Sequence, residues 1–451
     1  MPASIGSARP RAGQRTLAVG LLLIALVGCS SNGQPNRTGP VQPTSATNRP
    51  ASSAASASPP ASASPPASTS PPASTGSAAK LPANPGGLTD PQLVGQLFYA
   101  FVYGGSATSA SPAQRQANLA LYGAATGAEV VRRWHLGGII LLDHNTLDPA
   151  RPELSSGNVD SAGQIAALTS GLQQAARADS GVPLLIGTDQ EGGPVQRITD
   201  GVSPRPAERQ LAGTAPSTLS CDYYRLGSQL RRLGVNQDFA PDADVVTTPD
   251  GIIGDRSFGP DPALDAIDVR AAVTGLQAAG VAATLKHWPG HGSTATDSHL
   301  ALAVITESSA RWAALDRPPF LAAAPIADSI MVGHLALPAL DRSGRPATLS
   351  ATLVNGQLRR GLGYSGMVVT DSLWMAPVRQ AGSPGWVAQQ AVAAGEDMLL
   401  MSPDLPAASA AVLTRVRTDP AFRSMVDAAV GRILRLKHSL STAGAAPAGC
   451  D

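Results

Sequence analysis

Short apolar runs alternate with longer amphipathic segments from about residue 86 to residue 451. Apolar runs of this length, bounded by turn residues, are typical of buried strands. They predict strands at Gly138–Leu142, Pro183–Thr188, Asp238–Val246, Val281–Leu285, Ser329–Val332, Met367–Thr370 and Asp397–Met401. The remaining segments predict helices at Ser161–Ala178, Ser217–Leu233, Pro262–Ala279, Ser308–Ala324, Pro384–Ala394 and Ala421–Ser439.

Strands that alternate with helices of this length indicate parallel βα units. Seven or eight units in roughly 350 residues predict an α/β fold, built as a single (β/α)8 TIM-type barrel with insertions. A doubly wound sheet is the alternative architecture.

Polar residues follow most of the predicted strands. They are Asp143-His144-Asn145, the run from Asp189 to Gly193, the histidine-rich run from Lys286, then His334, and Asp371-Ser372. A barrel collects all of its strand ends on one rim, where TIM-barrel enzymes place their active sites. The pattern therefore predicts an enzyme whose substrate is polar.

Composition and the N-terminus bear on compartment. The 451 residues are 43% hydrophobic and carry a formal net charge of +1, so no basic excess indicates a nucleic-acid partner. Three arginines (Arg9, Arg11 and Arg15) precede an eleven-residue apolar stretch that ends at Val27. Such a stretch is too short to span a bilayer and has the length of the apolar region in a secretory signal peptide.

Leu26-Val27-Gly28-Cys29 resembles a bacterial lipobox, which predicts a signal peptide at 1–28 and lipidation of Cys29. An ordinary signal peptide with an incidental cysteine is the alternative. Residues 29–85 contain Ser-Pro-Pro-Ala-Ser three times and no aromatic residue, which predicts a disordered Pro/Ser/Ala-rich tether before a catalytic domain at 86–451. The protein is then exported and lipid-anchored to the outer face of the cytoplasmic membrane.

Two further cysteines, Cys221 and Cys450, remain after Cys29. Export favours a disulfide between them, because exported proteins meet an oxidising environment. Two free thiols are the alternative.

The run from Lys286 to His299 holds three of the seven histidines and one of only three lysines in the chain. A lysine among thirty arginines suggests a need for a compact ammonium group. Structural histidines and a zinc site from His287 and His291 are the alternatives. Pro289 and Gly290 indicate a turn rather than the helix that such a zinc pair requires, so no metal is expected.

Two carboxylates can serve catalysis. Asp371 follows the apolar run from Gly366 to Thr370, where a carboxylate can attack a substrate, hold a metal or bond a neighbouring loop. Asp297 lies two positions from His299, and a carboxylate near an imidazole can orient it as a proton shuttle. Double-displacement glycoside hydrolysis needs a nucleophile and an acid/base, although the usual acid/base is a second carboxylate.

These residues resemble the signature of family 3 glycoside hydrolases, specifically the bacterial β-N-acetylglucosaminidases of the NagZ type. Lys-His-Trp-Pro-Gly-His-Gly…Asp-Ser-His carries the resemblance, which spans roughly residues 88 to 440. Four further motifs agree in order: Asp189–Arg197, Asn236–Pro241, Gly254–Gly259 and Thr370–Met375. The lipobox and tether are similar to those of mycobacterial-type lipoproteins in this family.

The resemblance implies a TIM barrel and a role for each matching residue. Asp371 matches the nucleophile, His299 the general acid/base, and Asp297 the residue that orients the histidine. The matching sugar-binding positions are Asp189, Arg197, Arg256, Lys286 and His287. Three positions depart from the usual pattern, namely Pro194, Trp288 and Ser372, and none of them removes a catalytic group.

The predicted function is a retaining exo-β-N-acetylglucosaminidase that acts, as a monomer without a cofactor, on peptidoglycan fragments outside the cytoplasmic membrane. Phosphorolysis is a second interpretation, because a neutral histidine repels phosphate less than a carboxylate does. A non-catalytic lipoprotein that binds muropeptide sugars is a third.

Overall fold

The computed structural model describes residues 85–248, 251–441 and 445–450. The predicted signal peptide, Cys29 and the tether up to residue 84 lie outside the described residues. Among the described residues, no helix is both long and apolar enough to cross a membrane.

The strands in the described part of the chain are short and mostly buried. In chain order they are β1 (Phe98–Phe101), β2 (Gly138–Ile140), β3 (Leu185–Thr188), β4 (Gln190–Gly192), β5 (Val195–Gln196), β6 (Gln237–Asp238), β7 (Ala282–Trp288), β8 (Ala303–Val304), β9 (Ser329–Val332), β10 (Leu335–Ala336), β11 (Met367–Thr370) and β12 (Leu399–Leu400).

Eight of these strands form one parallel sheet in the order β11-β9-β7-β6-β3-β2-β1-β12. The order follows the chain, and Val369 of β11 forms an isolated parallel bridge with Met398, the residue before β12. A doubly wound sheet stays open and reverses its strand order, so the near-closure in sequential order excludes that alternative. The architecture is an α/β barrel consistent with the TIM type.

The helices pack around this barrel. They are α1 (Asp90–Gly95), α2 (Pro112–Tyr122), α3 (Gly127–Trp134), α4 (Ala162–Ser180), α5 (Glu208–Leu211), α6 (Pro216–Arg232), α7 (Pro262–Ala278), α8 (Ser309–Leu315), α9 (Arg317–Ala323), α10 (Ala376–Arg379), α11 (Pro384–Ala394), α12 (Leu405–Thr418) and α13 (Pro420–Ser439). A π-helical segment, Thr352–Gly361, stands between β10 and β11 in chain order, and short 3₁₀ turns occur at Pro85–Gly87, Gly254–Arg256 and Ala347–Leu349.

The predicted boundaries of β9, β11 and α11 are those observed. β1 was not predicted. All four of its residues are buried, so the run shows no alternation, and a short continuous apolar run does not distinguish a strand from a buried helix segment. The predicted strand Asp238–Val246 is a strand only at its start, because Pro241 lacks a backbone N–H for the ladder.

The predicted helix Ser308–Ala324 is two helices, α8 and α9, which meet at Asp316. Pro318 and Pro319 open α9, and proline is tolerated only in the first turn of a helix. The buried Asp316 packs against Gly290 in the histidine-rich loop, where an added Cβ would lie 2.6 Å from the Asp316 Cβ. The junction between α8 and α9 therefore packs against the histidine-rich loop and supports it.

Asp316→Asn should stabilise the protein increasingly as the pH rises. Burial, and less strongly the charge of Glu307, raise the pKa of Asp316 from 3.8 to about 9. Between these values the folded protein holds a proton that the unfolded chain has released, so the free energy of unfolding falls with rising pH. Calorimetric melting temperatures should show a larger gain at pH 8 than at pH 5. A gain that does not grow with pH, or an equal gain for the exposed Glu153→Gln control, would contradict this.

A disulfide joins Cys221 of α6 to Cys450, with the two Cα atoms 5.0 Å apart and 229 positions between them in sequence. This is the pairing predicted from the sequence. Arg231 of the same helix also donates a hydrogen bond of 2.8 Å to the Leu440 carbonyl oxygen. The C-terminal segment is therefore attached to α6 at two points.

Candidate active site

The carboxyl ends of the barrel strands surround a cavity of about 820 Å³, a size that suits an organic ligand of moderate size. Its wall includes all but one of the residues predicted for catalysis and sugar binding. They are Asp189, Arg197, Arg256, Lys286, His287, His299 and Asp371. The remaining residue, Asp297, does not line the cavity, but it contacts His299, which does.

Charged side chains form a network at the bottom of the cavity. Lys286, within β7, has its Nζ 3.3 Å from Asp189 Oδ1 and in contact with Glu191. Arg256 donates two hydrogen bonds to Glu191, from Nε at 2.8 Å and from Nη2 at 2.9 Å. Arg197 Nε lies 3.7 Å from the other Asp189 oxygen. The network orients two cationic groups toward the cavity.

These buried groups are held in their charged forms. Burial raises the pKa of Glu191, but Arg256 and Lys286 outweigh it and bring the pKa below its ordinary value. Burial lowers the pKa of Lys286, but Glu191 and Asp189 outweigh it and leave the pKa above its ordinary value. Charge-assisted hydrogen bonds are the stronger kind, so these cations are suitable donors to sugar oxygens.

His287 is held neutral. Burial, together with Arg256 and Lys286, lowers the pKa of His287 to about 4 despite nearby Asp242. Its Nδ1 lies 2.7 Å from Asp244 Oδ2, and Asp244 Oδ1 accepts the His287 backbone N–H at 3.1 Å. With Asp244 as the acceptor, the proton of the neutral ring is on Nδ1. Its Nε2 therefore offers an acceptor for a hydroxyl group.

Asp371 lies directly after β11, and its backbone N–H donates to the Val332 carbonyl at 2.9 Å. Its Oδ1 accepts the Ser372 backbone N–H at 2.7 Å. Burial raises the pKa of Asp371, but His287, His334 and His299 outweigh it and bring the pKa below its ordinary value. The carboxylate is therefore ionised and held by rigid backbone, as a nucleophile must be.

His299 and Asp297 form a half-exposed pair on the cavity rim. His299 Nδ1 lies 2.7 Å from Asp297 Oδ1, and that oxygen also accepts the His299 backbone N–H at 2.9 Å. The His299 carbonyl oxygen accepts the Ala376 backbone N–H, which connects this loop to the segment after Asp371. A carboxylate on Nδ1 leaves Nε2 to exchange protons with a substrate.

The family model described as "Glycosyl hydrolase family 3 N terminal domain" matches residues 114–436. The chain belongs to glycosyl hydrolase family 3.

The chain is also similar to relatives of known name. Beta-hexosaminidase LpqI of Mycobacterium tuberculosis is 33% identical over 347 residues, covering 72% of this chain and 83% of LpqI. Beta-hexosaminidase A of Pseudoalteromonas piscicida is 34% identical over 296 residues, covering 61% of this chain. The match spans about half of that relative's length (47%).

Solved family 3 structures have the same fold. A β-N-acetylglucosaminidase from Paenibacillus sp. str. FPU-7 has a TM-score of 0.69 at 36% identity, covering 78% of this chain and 63% of that chain. M. tuberculosis LpqI has a TM-score of 0.64 at 29% identity, covering 78% of this chain and 94% of that chain.

The sequence analysis assigned no role to three residues that shape this family 3 site. Glu191 pairs with both Lys286 and Arg256, Asp244 holds His287, and His334 donates from Nε2 to the Ser372 carbonyl at 2.9 Å. Glu191 and His334 follow predicted strands by three and two residues, and their place among the polar strand ends was the usable signal. Asp244 lies inside the predicted strand Asp238–Val246 and gives no comparable signal.

Two of the three departures from the family pattern line the cavity, namely Pro194 and Ser372. Trp288 is fully buried, and its ring packs edge-on against Trp312 and Phe320, with ring centroids 5.7 and 5.3 Å away. Trp288 is therefore a core residue, and only the other two line the cavity.

The zinc alternative requires His287 and His291 to converge on one ion. One ring nitrogen of each has a protein partner, since His287 Nδ1 contacts Asp244 and His291 Nε2 contacts Ser298 Oγ at 2.9 Å. Asp242, Asp244 and His287 each offer one ligand atom within 4.8 Å of the others. Arg256 Nη2 lies 3.7 Å from the same Asp242 carboxylate and supplies a positive charge there.

Proposed function

We propose that this protein is a retaining exo-β-N-acetylglucosaminidase that releases terminal N-acetylglucosamine. The observation that carries the proposal is the convergence on one cavity of an ionised Asp371, a carboxylate-oriented His299 and a buried cationic network. The names of the family relatives, beta-hexosaminidase and β-N-acetylglucosaminidase, support the same substrate class.

In the first step, Asp371 attacks the anomeric carbon and forms a glycosyl-enzyme ester. The bond to the leaving oxygen breaks, and protonated His299 donates its Nε2 proton to that oxygen. In the second step, neutral His299 takes a proton from water as the water attacks the anomeric carbon and releases Asp371. Asp297 stabilises the imidazolium form in each step.

The cationic network binds the terminal sugar. Asp189 accepts from sugar hydroxyl groups, and Lys286 and Arg256 donate to hydroxyl or acetamido oxygens. His287 contributes its Nε2, and Arg197 lies nearer the opening because its side chain is 45% exposed. Held between fixed charges, the sugar loses little further freedom on the way to the transition state.

Turnover of a chromogenic aryl β-N-acetylglucosaminide tests the proposal directly. Release of the aryl alcohol with free N-acetylglucosamine supports hydrolysis, and no turnover by folded protein would leave the sugar-binding lipoprotein as the explanation. Product analysis with added phosphate separates phosphorolysis, since a phosphorylase yields the sugar 1-phosphate instead.

We further propose that the catalytic domain (86–451) is a monomer exported on a lipid anchor at Cys29, with the Pro/Ser/Ala-rich residues 29–85 as a tether. The lipobox-like run and the repeated Ser-Pro-Pro-Ala-Ser support this proposal. An anchored enzyme on the outer face of the cytoplasmic membrane meets peptidoglycan fragments, which contain N-acetylglucosamine, as its substrate.

Cys29→Ala should move the protein from the membrane fraction to the soluble fraction without loss of aryl N-acetylglucosaminidase activity. The reason is that a missing thiol prevents lipidation, while the barrel is unchanged. Fractionation followed by immunoblotting measures the shift, with Ser31→Ala as the control that keeps Cys29 and the Cys221–Cys450 disulfide. Membrane retention equal to wild type would contradict the anchor.

A further inference from the structure

A second histidine–aspartate pair lines the same cavity. His144 Nδ1 lies 2.9 Å from Asp143 Oδ2, in the loop that follows β2. The pair repeats the arrangement of His299 and Asp297, where the corresponding distance is 2.7 Å. Both His144 and Asp143 line the cavity wall, yet the proposed mechanism uses neither of them.

Hydrogen bonds within the loop fix the position of the second pair. Asp143 Oδ1 accepts a hydrogen bond of 2.7 Å from Ser155 Oγ, and the Asp143 carbonyl accepts the Ser156 backbone N–H at 2.7 Å. Ser156 Oγ donates to the Leu142 carbonyl at 2.6 Å. Asp143 is therefore fixed before any ligand arrives, and its second oxygen orients the imidazole so that Nε2 is free to bind a substrate.

The pair lies at a different depth from the cationic network. The Lys286 side chain is 2% exposed, whereas His144 is 34% and Asp143 is 50% exposed. A pocket that cleaves from one end holds the terminal sugar at its bottom, so the rest of the substrate lies at the rim. His144 is therefore placed beside the unit that follows the terminal sugar.

We propose that His144, oriented by Asp143, binds a hydroxyl group of the sugar unit next to the terminal N-acetylglucosamine. This rests on the proposed function, which assigns the terminal sugar to the bottom of the cavity. The substrate class is then a β-linked oligosaccharide whose second unit is itself a sugar, rather than a simple aryl or alkyl glycoside.

Binding to the full-length Asp371→Asn protein tests the proposal, because that background leaves a disaccharide uncleaved. Calorimetry compares N-acetylglucosamine with its β-1,4-linked disaccharide. Adding His144→Asn should weaken disaccharide binding about 3- to 10-fold, the worth of one neutral hydrogen bond, and leave monosaccharide binding unchanged. In the otherwise wild-type enzyme, kcat/KM should fall more for the disaccharide than for an aryl glycoside.

His135 supplies a matched control. Its Nδ1 lies 2.7 Å from Asp179 Oδ2, but His135 precedes β2 at the opposite end of the barrel. Its backbone φ is 52°, a region that asparagine tolerates, so His135→Asn is the fitting substitution. It should leave the affinity of both ligands unchanged.

Three results would overturn the proposal. They are unchanged disaccharide affinity in His144→Asn, an equal loss for monosaccharide and disaccharide, and an equal loss in the His135→Asn control. Failure of the proposed function gives a different result, because wild-type protein would then release no product from either substrate in the turnover assay.

Discussion

Asp371→Asn should reduce turnover of every N-acetylglucosaminide roughly 10⁴- to 10⁶-fold, the scale of losing one essential catalytic group. The amide keeps the size of the carboxyl group and the backbone contacts of β11, but it is not nucleophilic. Steady-state kinetics with an aryl glycoside measures the loss, and circular dichroism shows whether the fold is kept.

Asp328→Asn is the matched control, because Asp328 directly precedes β9 and lies at the other end of the barrel from Asp371. It should keep wild-type turnover.

A 2-acetamido-2-deoxy-5-fluoro glycosyl reagent should also label wild-type protein on Asp371, as peptide mass mapping would show. Substrate-assisted catalysis, in which the 2-acetamido group attacks instead, predicts no such label. Labelling of another carboxylate would overturn the assignment.

His299→Ala should slow substrates with poor leaving groups most, by about 10²- to 10⁴-fold in kcat/KM. A leaving oxygen of high basicity needs a proton as its bond breaks, whereas an acidic phenol leaves without one. Kinetics across a series of aryl and sugar leaving groups measures the difference. An external nucleophile such as azide should restore the second step, because azide attacks the anomeric carbon without base assistance.

The exposed His438 of α13 provides the control, since His438→Ala removes an imidazole remote from the cavity. Its rates should match wild type for all leaving groups. Equal losses in His299→Ala for acidic phenols and for sugars would show that His299 does not protonate the leaving group. Asp297→Asn should change the rates in the same direction, but less, because the imidazole remains.

We expect substrate preference to depend on residues that line the cavity outside the buried ion pairs. Pro194 and Ser372 line the cavity where the motif usually carries charged residues, and His144 faces the same opening. At the bottom of the cavity, by contrast, Lys286 and Arg256 both form ion pairs with Glu191. Under the proposed function, substitutions at these positions should change the preference among oligosaccharides without disturbing the groups proposed to bind the terminal sugar.

The sequence by itself determined the alternation of strands and helices, and with it the barrel. The boundaries of β9, β11 and α11 follow from local pattern, because apolar runs and proline or glycine at their ends are properties of neighbouring residues. It also predicted that polar strand ends share one rim, which the cavity wall confirms. A short buried strand such as β1 was not predicted, because full burial removes the alternation of polar and apolar residues that identifies a strand.

Only the tertiary structure determined which side chains of the site contact one another. Lys286 and Asp189 are 97 positions apart, Arg256 and Glu191 are 65 apart, and His287 and Asp244 are 43 apart. Ionisation depends on these distances and on burial, so residue type alone could not show that His287 is neutral. The sequence supplies the side chains in order along the chain, but closing the barrel brings them within hydrogen-bonding distance and excludes water, and these two conditions set their charges.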